Sequence, residues 1–285
     1  MIIFFESGRL GNQLFQYVAM RKFQPQGPIL AIGMSDLKMG FDGIDLVGAT
    51  RFGQFLERIA RRVGERRIAN AACRSRLLTL VEEVKAPDGV SFRVTPGIVR
   101  RLVYFKPGYY QSGMIVEHES FSKISVKAAF LEKARQDLNS LTSNPRDRFF
   151  IHVRRGDYIR WPSPDAPAVL TLSWYQAQMD RIRKEYPCAF FVILSDDPPY
   201  VNEFFSRYPD VAIIHQEPIL DFAVITQCHG GGILSASSFA WWGAYFIKGE
   251  NPHALLIAPK YWAGHRSGKW FPPRIQTSWL TYAET

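Results

Sequence analysis

Ile151-His152-Val153-Arg154-Arg155-Gly156-Asp157-Tyr158 holds the side chains best suited to chemistry. A guanidinium fork pairs bidentately with phosphate oxygens. Gly156 permits a tight turn and a close backbone approach. Asp157 can hold an arginine in place or accept a proton. An ordinary surface loop with an Arg–Asp pair would carry the same residues. The run Phe149 to Val153 ahead of it is apolar enough for a buried strand, so the arginines emerge at a strand end. His152 lies inside that strand, where a satisfied core histidine and a functional one are equally open.

Three further segments have chemical potential. In Ser235-Ala236-Ser237-Ser238-Phe239-Ala240-Trp241-Trp242-Gly243 a strand ends, serines follow and a helix starts. Serine is a preferred N-cap, and the exposed N–H groups of a first helical turn attract anions. Trp241 and Trp242 read as core. Gly8-Arg9-Leu10-Gly11-Asn12-Gln13 is a glycine-rich turn into a helix that puts Asn12 at the helix start. It lacks the third glycine of a dinucleotide fingerprint and the lysine of a P-loop. In Leu194-Ser195-Asp196-Asp197 the carboxylates can accept N–H or ribose O–H bonds, or simply cap the helix that starts at Pro198-Pro199. Adjacent aspartates are not the Asp-x-Asp pair that commonly holds manganese in sugar-nucleotide enzymes.

Other chemistries find less support. His118, His215, His229, His253 and His265 show no metal-ligand spacing, and no nucleophile elbow occurs. Cys73, Cys188 and Cys228 are odd in number and far apart, with no CxxC, which points to a reducing compartment. Cys188 and Cys228 lie in apolar runs and are expected to be buried thiols.

These segments need elements to hold them. In the second half, apolar strands at 149–153, 190–194, 211–214, 232–234 and 255–258 alternate with helices at 173–186, 199–208, 221–228 and 238–248. That alternation predicts a parallel sheet covered on both faces, with ligand beyond the strands' carboxyl ends. The first half is less regular. It has strands at 2–5 and 28–32, a helix at 12–23 and another at 125–141. Between Arg51 and Arg76 lie eight arginines and two glutamates, with Phe52, Phe55, Leu56, Ile59 and Val63 on one helical face. This reads as one or two basic amphipathic helices. They suit an anionic membrane surface or the solvated face of a domain. The polar, proline-containing stretch 142–147 predicts a boundary between domains 1–144 and 145–285.

The whole chain has 285 residues, 47% of them hydrophobic and 21% charged, which excludes disorder and coiled coil. Two domains suit a chain of this length at about 150 residues each. A formal net charge of +9 suits an anionic partner. No RNP-like or KH-like signature favours nucleic acid. The opening residues lack the basic start of a signal peptide. The charge-free run between His229 and Lys248 reads better as strand, turn and helix than as a membrane span.

Taken together, the segments resemble the α-1,2-fucosyltransferases, glycosyltransferase family 11. The resemblance rests on Gly8 to Tyr17, Gly108-Tyr109-Tyr110-Gln111-Ser112, His152 to Tyr158, Ser195-Asp196-Asp197, Ser237 to Trp242 and Ile257-Ala258-Pro259-Lys260, in the family's order. It implies a GT-B fold, two Rossmann-like domains facing across a cleft, with the donor-binding domain second and the acceptor side first. It implies GDP-β-L-fucose as donor, a galactoside hydroxyl as acceptor, inversion at the anomeric carbon, and no metal or other cofactor. By the same resemblance Arg154 binds the pyrophosphate. His152, Asp196, Ser237 and Ser238 contact the donor, and Asn12 reaches it from the first domain. Asp157 is the nominated general base, with orientation of Arg154 or Arg155 as its competing role. Ala236 stands where the family often has Asn. Gly230-Gly231-Gly232 replaces a more ordinary stretch, and 51–101 matches no family block. A bacterial, cytoplasmic enzyme working on lipid-linked surface glycans is expected, touching the inner membrane through 51–76. Use of another GDP-sugar or another linkage is the alternative, and a non-catalytic nucleotide or RNA binder the more distant one.

Overall fold

The computed structural model describes residues 1–47, 51–86, 89–113 and 124–285. His118 lies outside them. The chain forms two compact units, Met1–Ser125 and Val126–Thr285.

The first unit is α/β. Strands β1 (Ile2–Phe5), β2 (Ile29–Ile32), β3 (Leu78–Ala86), β4 (Gly89–Thr95) and β5 (Val99–Phe105) form one sheet in the order β2-β1-β5-β3-β4. All neighbours are parallel except the β3–β4 hairpin at the edge. Helix α1 (Leu10–Phe23) follows β1, and the short α2 (Ser35–Gly40) follows β2. The arginine-rich stretch forms two helices, α3 (Arg51–Val63) and α4 (Glu65–Cys73), broken at Gly64 with φ 82°. Leu56 does not share a face with the phenylalanines. It packs with Ala60, Ala72 and Ile68 against Leu30, Ile32 and Leu80 of the sheet. Phe52, Phe55, Ile59 and Val63 stay exposed.

The main sheet of the second unit has six strands: β6 (Arg148–Val153), β7 (Phe190–Ser195), β8 (Val211–Ile214), β9 (Gly231–Ile233), β10 (Leu255–Pro259) and β11 (Thr281–Ala283). Their order is β8-β7-β6-β9-β10-β11, and every pair is parallel. Counted within the unit this is 3-2-1-4-5-6, the doubly wound dinucleotide-binding order. The chain reverses its winding between β6 and β9. Every residue of β6 is buried, as a central strand covered on both faces requires. Helices α6 (Leu172–Glu185), α7 (Pro198–Phe205), α8 (Pro218–Thr226) and α9 (Ser238–Glu250) connect the strands. Trp174, Tyr175, Met179 and Ile182 of α6 pack with Phe149, Ile151 and Phe191. Trp241 and Trp242 are core residues of α9.

The expected boundary at 144/145 falls inside this second unit. Helix α5 (Ala128–Asn139) packs on α8 and is tied to it by Arg135 Nε donating to Gln227 Oε1 at 2.9 Å. Buried Arg148 of β6 donates back to Asn139 Oδ1 at 2.7 Å. The polar stretch is therefore a loop of this unit, its turn Pro145–Asp147 capped by Asn144. The charge-free run supplies β9, a turn and most of α9. Among the described residues no helix is long and apolar enough to cross a membrane. Cys228 is buried, and burial pushes its thiol up to about 12. Cys188 is exposed, contrary to expectation, because it lies in the turn after Pro187 and before β7 begins.

Candidate active site

The carboxyl ends of β6 and β9 flank the point where the winding reverses, the usual ligand crevice of such a sheet. His152, Arg154, Asp157, Asp196, Ser237 and Ser238 all sit on the segments that leave β6, β7 and β9 there. A tight set of bonds links those segments. Arg154 Nη2 donates to Asp157 Oδ1, and Arg154 Nη1 pairs with Asp196 Oδ2 at 3.1 Å. Asp196 Oδ1 accepts the Arg155 backbone N–H at 2.8 Å. Asp196 thus holds both the Arg154 side chain and the turn that presents it.

Gly156 is required by this turn. A Cβ there would lie 2.5 Å from Asp196 Oδ2, an atom already held by Arg154. Asp197 does what its position before Pro198-Pro199 suggests and caps α7, accepting from Tyr200 N–H at 3.3 Å. It also accepts from Arg155 Nη1 at 2.7 Å. The Arg155 guanidinium lies 4.3 Å from the centroid of the Tyr200 ring, a cation–π contact. The Arg155 guanidinium is therefore braced against the α7 N-terminus, while its backbone N–H shares Asp196 with Arg154.

On the other flank Ser237 caps α9, its Oγ accepting from Phe239 N–H at 3.3 Å. Ser238 is the first residue of that helix. The first-turn N–H groups and the dipole of this 13-residue helix favour an anion. Tyr158 joins the two flanks. Its hydroxyl donates to Ala236 O at 2.8 Å, and its ring lies 5.6 Å from the Arg154 guanidinium. Burial keeps that phenol protonated far above its ordinary range. The role of Tyr158 was missed in the sequence, although a tyrosine four residues after the arginine was in view. Arg155, Asp197 and Tyr200 as a brace were missed as well, since nothing in their spacing joins 155 to 197.

His152 is a buried neutral histidine. Its Nδ1 shares a 2.7 Å hydrogen bond with Ser235 Oγ, and its carbonyl accepts Ser235 N–H at 3.1 Å. These bonds clamp β6 to the β9–α9 loop. Burial, with a smaller contribution from the Arg154 charge, lowers its pKa to about 3. Between that value and about 6.5 the unfolded chain binds a proton that the folded chain refuses. The His152 contribution is complete above pH 6.5 and is lost as pH falls from 6.5 toward 3. His152→Gln is therefore expected to flatten the pH dependence of urea unfolding in that window. The change is about 1.4 kcal/mol per pH unit where one proton is taken up. Parallel wild-type and variant slopes would sink this reading.

Asn12 belongs to the first unit. It is the third residue of α1, which starts at Leu10 rather than at 12, and its Oδ1 accepts from Gln111 Nε2 at 2.7 Å. Gln16 Nε2 donates to Ser7 O and Gly108 O at 2.6 and 2.9 Å. The blocks at 8–17 and 108–112, far apart in sequence, thus form one cluster at the carboxyl end of β1.

A cavity of about 420 Å³ in the second unit is lined by Val169, Leu170, Thr171, Trp174, His265, Arg266 and Thr285. None of these belongs to the arginine cluster, so the cavity is not the anion site. Among the described residues no group of three or more His, Cys, Asp or Glu is placed to hold a metal ion.

The chain is 29% identical over 172 residues to galactoside 2-alpha-L-fucosyltransferase SEC1 of Bos taurus, covering 56% of this chain and 45% of the relative. It is 25% identical over 125 residues to the O-antigen biosynthesis glycosyltransferase WbnK of Escherichia coli, covering 42% of this chain and 40% of the relative. These alignments span less than half the length of either relative. Among solved structures, POFUT1 in complex with GDP aligns at a TM-score of 0.49 and 11% identity, over 89% of this chain and 96% of that one. The family model described as Glycosyl transferase family 11 matches residues 89–267, well over half of the chain and the whole arginine, aspartate and serine cluster. On that match, the chain belongs to glycosyl transferase family 11.

Proposed function

We propose that this protein is an inverting, metal-independent fucosyltransferase. It moves L-fucose from GDP-β-L-fucose to a galactoside hydroxyl, in α-1,2 linkage, during surface-glycan synthesis. The observation that carries this reading is the Arg154 cluster beside the α9 N-terminus, where the sheet's winding reverses. The relatives' names, galactoside fucosyltransferase and O-antigen glycosyltransferase, support the substrate class. The second unit is the donor side and the first the acceptor side.

In this mechanism the acceptor oxygen attacks the anomeric carbon in line as GDP departs, through an oxocarbenium-like transition state. Negative charge grows on the bridging phosphate oxygen. Arg154 and the first turn of α9, which Ser238 begins, stabilise it as preorganised donors do, while Ser237, whose own N–H donates to Ser235 O at 2.8 Å, caps that turn. The absence of an Asp-x-Asp pair supports metal independence. His152 and Asp196 act on the donor site, His152 by fixing the Ser235 loop and Asp196 by aiming Arg154. Asn12, at the carboxyl end of β1, is assigned to donor binding by the family resemblance. Asp157 is the nominated base. Its bond to Arg154 equally supports an orienting role.

The test is GDP release from GDP-fucose by purified protein in EDTA, with and without lactose. Release that rises with lactose, together with a fucosylated product, is expected. GDP-fucose bound but not turned over with any galactoside would overturn the acceptor class. Equal or better turnover of GDP-mannose would overturn the donor.

A further inference from the structure

Helix α3 carries a feature that donor chemistry does not use. Its inner face, Gly53, Leu56 and Ala60, packs toward β2 and the sheet. Glu57 anchors one side, accepting Gly33 N–H at 3.1 Å and pairing with Lys38 at 3.1 Å and Arg61 at 2.9 Å. These contacts fix the rotation of the helix about its axis. Phe52, Phe55, Ile59 and Val63 follow at i, i+3, i+7 and i+11, a single stripe along a 3.6-residue helix. Burial by the sheet would be the ordinary fate of such a stripe. Here it faces outward, with Phe52 67% and Phe55 55% exposed. Arg51, Arg58 and Arg62 run beside it on the flank away from the core, and all three are exposed.

We propose that this face of α3 seats the protein on an anionic lipid bilayer. The phenylalanines and Ile59 enter the boundary between headgroups and acyl chains, and the three arginines meet lipid phosphates. An outward apolar stripe edged by arginine, on a helix lying along a protein surface, is the composition that binds membranes in plane. Charge complementarity selects this occupant. A second copy docking antiparallel through the same stripe would bring Arg51, Arg58 and Arg62 against their equivalents. A nucleic acid would satisfy the arginines and leave the apolar stripe in water. An anionic bilayer satisfies both.

The experiment is flotation of the full chain with vesicles of phosphatidylcholine alone, or of phosphatidylcholine mixed with phosphatidylglycerol. Recovery with the anionic vesicles only is expected. Arg51→Glu, Arg58→Glu and Arg62→Glu together should weaken it by roughly a hundredfold. Phe52→Ser with Phe55→Ser should weaken it by roughly tenfold for each phenylalanine removed. Replacing the three arginines by lysine should preserve binding. All substitutions are at exposed positions, and unchanged circular dichroism will verify that each variant is folded. Equal recovery with neutral vesicles, no recovery with anionic ones, or recovery unaffected by the variants would overturn the proposal. So would a doubled mass in light scattering that Phe52→Ser with Phe55→Ser abolishes, or RNA binding without vesicle binding. None of these readouts depends on GDP-fucose or the donor site.

Discussion

On the proposed function, Arg154→Ala is expected to reduce fucosyl transfer by about 100- to 1,000-fold, the usual cost of removing one preorganised donor to a developing negative charge. Arg154 is the side chain whose position is most heavily determined. Asp196 and Asp157 hold its two terminal nitrogens, Gly156 gives its turn clearance, and the Tyr158 ring lies beside it. That much positioning suits a group that acts by geometry as well as charge. Arg154→Lys should therefore restore little, because an ammonium has no planar fork for bidentate contact, and its single nitrogen cannot occupy both terminal positions that meet Asp157 and Asp196. The loss should fall mainly on kcat, since the charge grows in the transition state. Near-normal turnover by Arg154→Ala, with thermal stability unchanged, would remove Arg154 from the mechanism.

The second large effect concerns stability. Gly231→Ala is expected to cost about 3 kcal/mol or more, from left-handed backbone and a clash acting together. Gly231 has φ +134°, and a Cβ on it would lie 2.0 Å from Leu255 O, in the backbone of the paired strand. No side-chain rotation relieves that contact, because β9 and β10 are in register at this residue pair. Its neighbours are equally constrained. A Cβ at Gly230 would lie 2.5 Å from Arg146 O, and one at Gly232 2.2 Å from Phe150 Cδ1. The three glycines thus let β9 fit between β6 and β10. A drop of roughly 10 °C in the thermal midpoint is the readout. An unchanged midpoint would show that β9 shifts freely and that these contacts do not constrain it.

The second half of the chain was legible because its strands are continuous apolar runs with proline, glycine and serine punctuation, and a buried parallel sheet needs that pattern. Ser237 was legible as a cap for the same local reason. The β3–β5 region was not. Its strands carry Glu82, Glu83, Arg93, Arg100 and Arg101, and β3 and β4 form a hairpin at the sheet edge, where apolar continuity is not required. The stretch 142–147 had the composition of a linker, yet α5 before it belongs with the unit after it. That placement depends on Arg148 and Asn139 meeting, which no local pattern encodes. Leu56 was grouped with the phenylalanines because a helical wheel does not say which side the sheet lies on. The site residues themselves were recognised by family blocks. Their pairings were not, since Asp196 holding Arg154 is a product of β6 and β7 lying side by side.

The motif more than offsets its own positive charge. Two guanidiniums, Arg154 and Arg155, face three carboxylates, Asp157, Asp196 and Asp197. On the proposed function, an arriving diphosphate meets no bare cation. It must take over a guanidinium nitrogen from a carboxylate, and Asp157, with 61% of its side chain exposed, is the one that yields at least cost. Nucleotide capture is then an exchange of internal counter-ions. Its affinity depends less on ionic strength than the chain's net charge would suggest. The same exchange sets an order of events: Asp157 becomes available as a base only once the diphosphate has displaced it from Arg154.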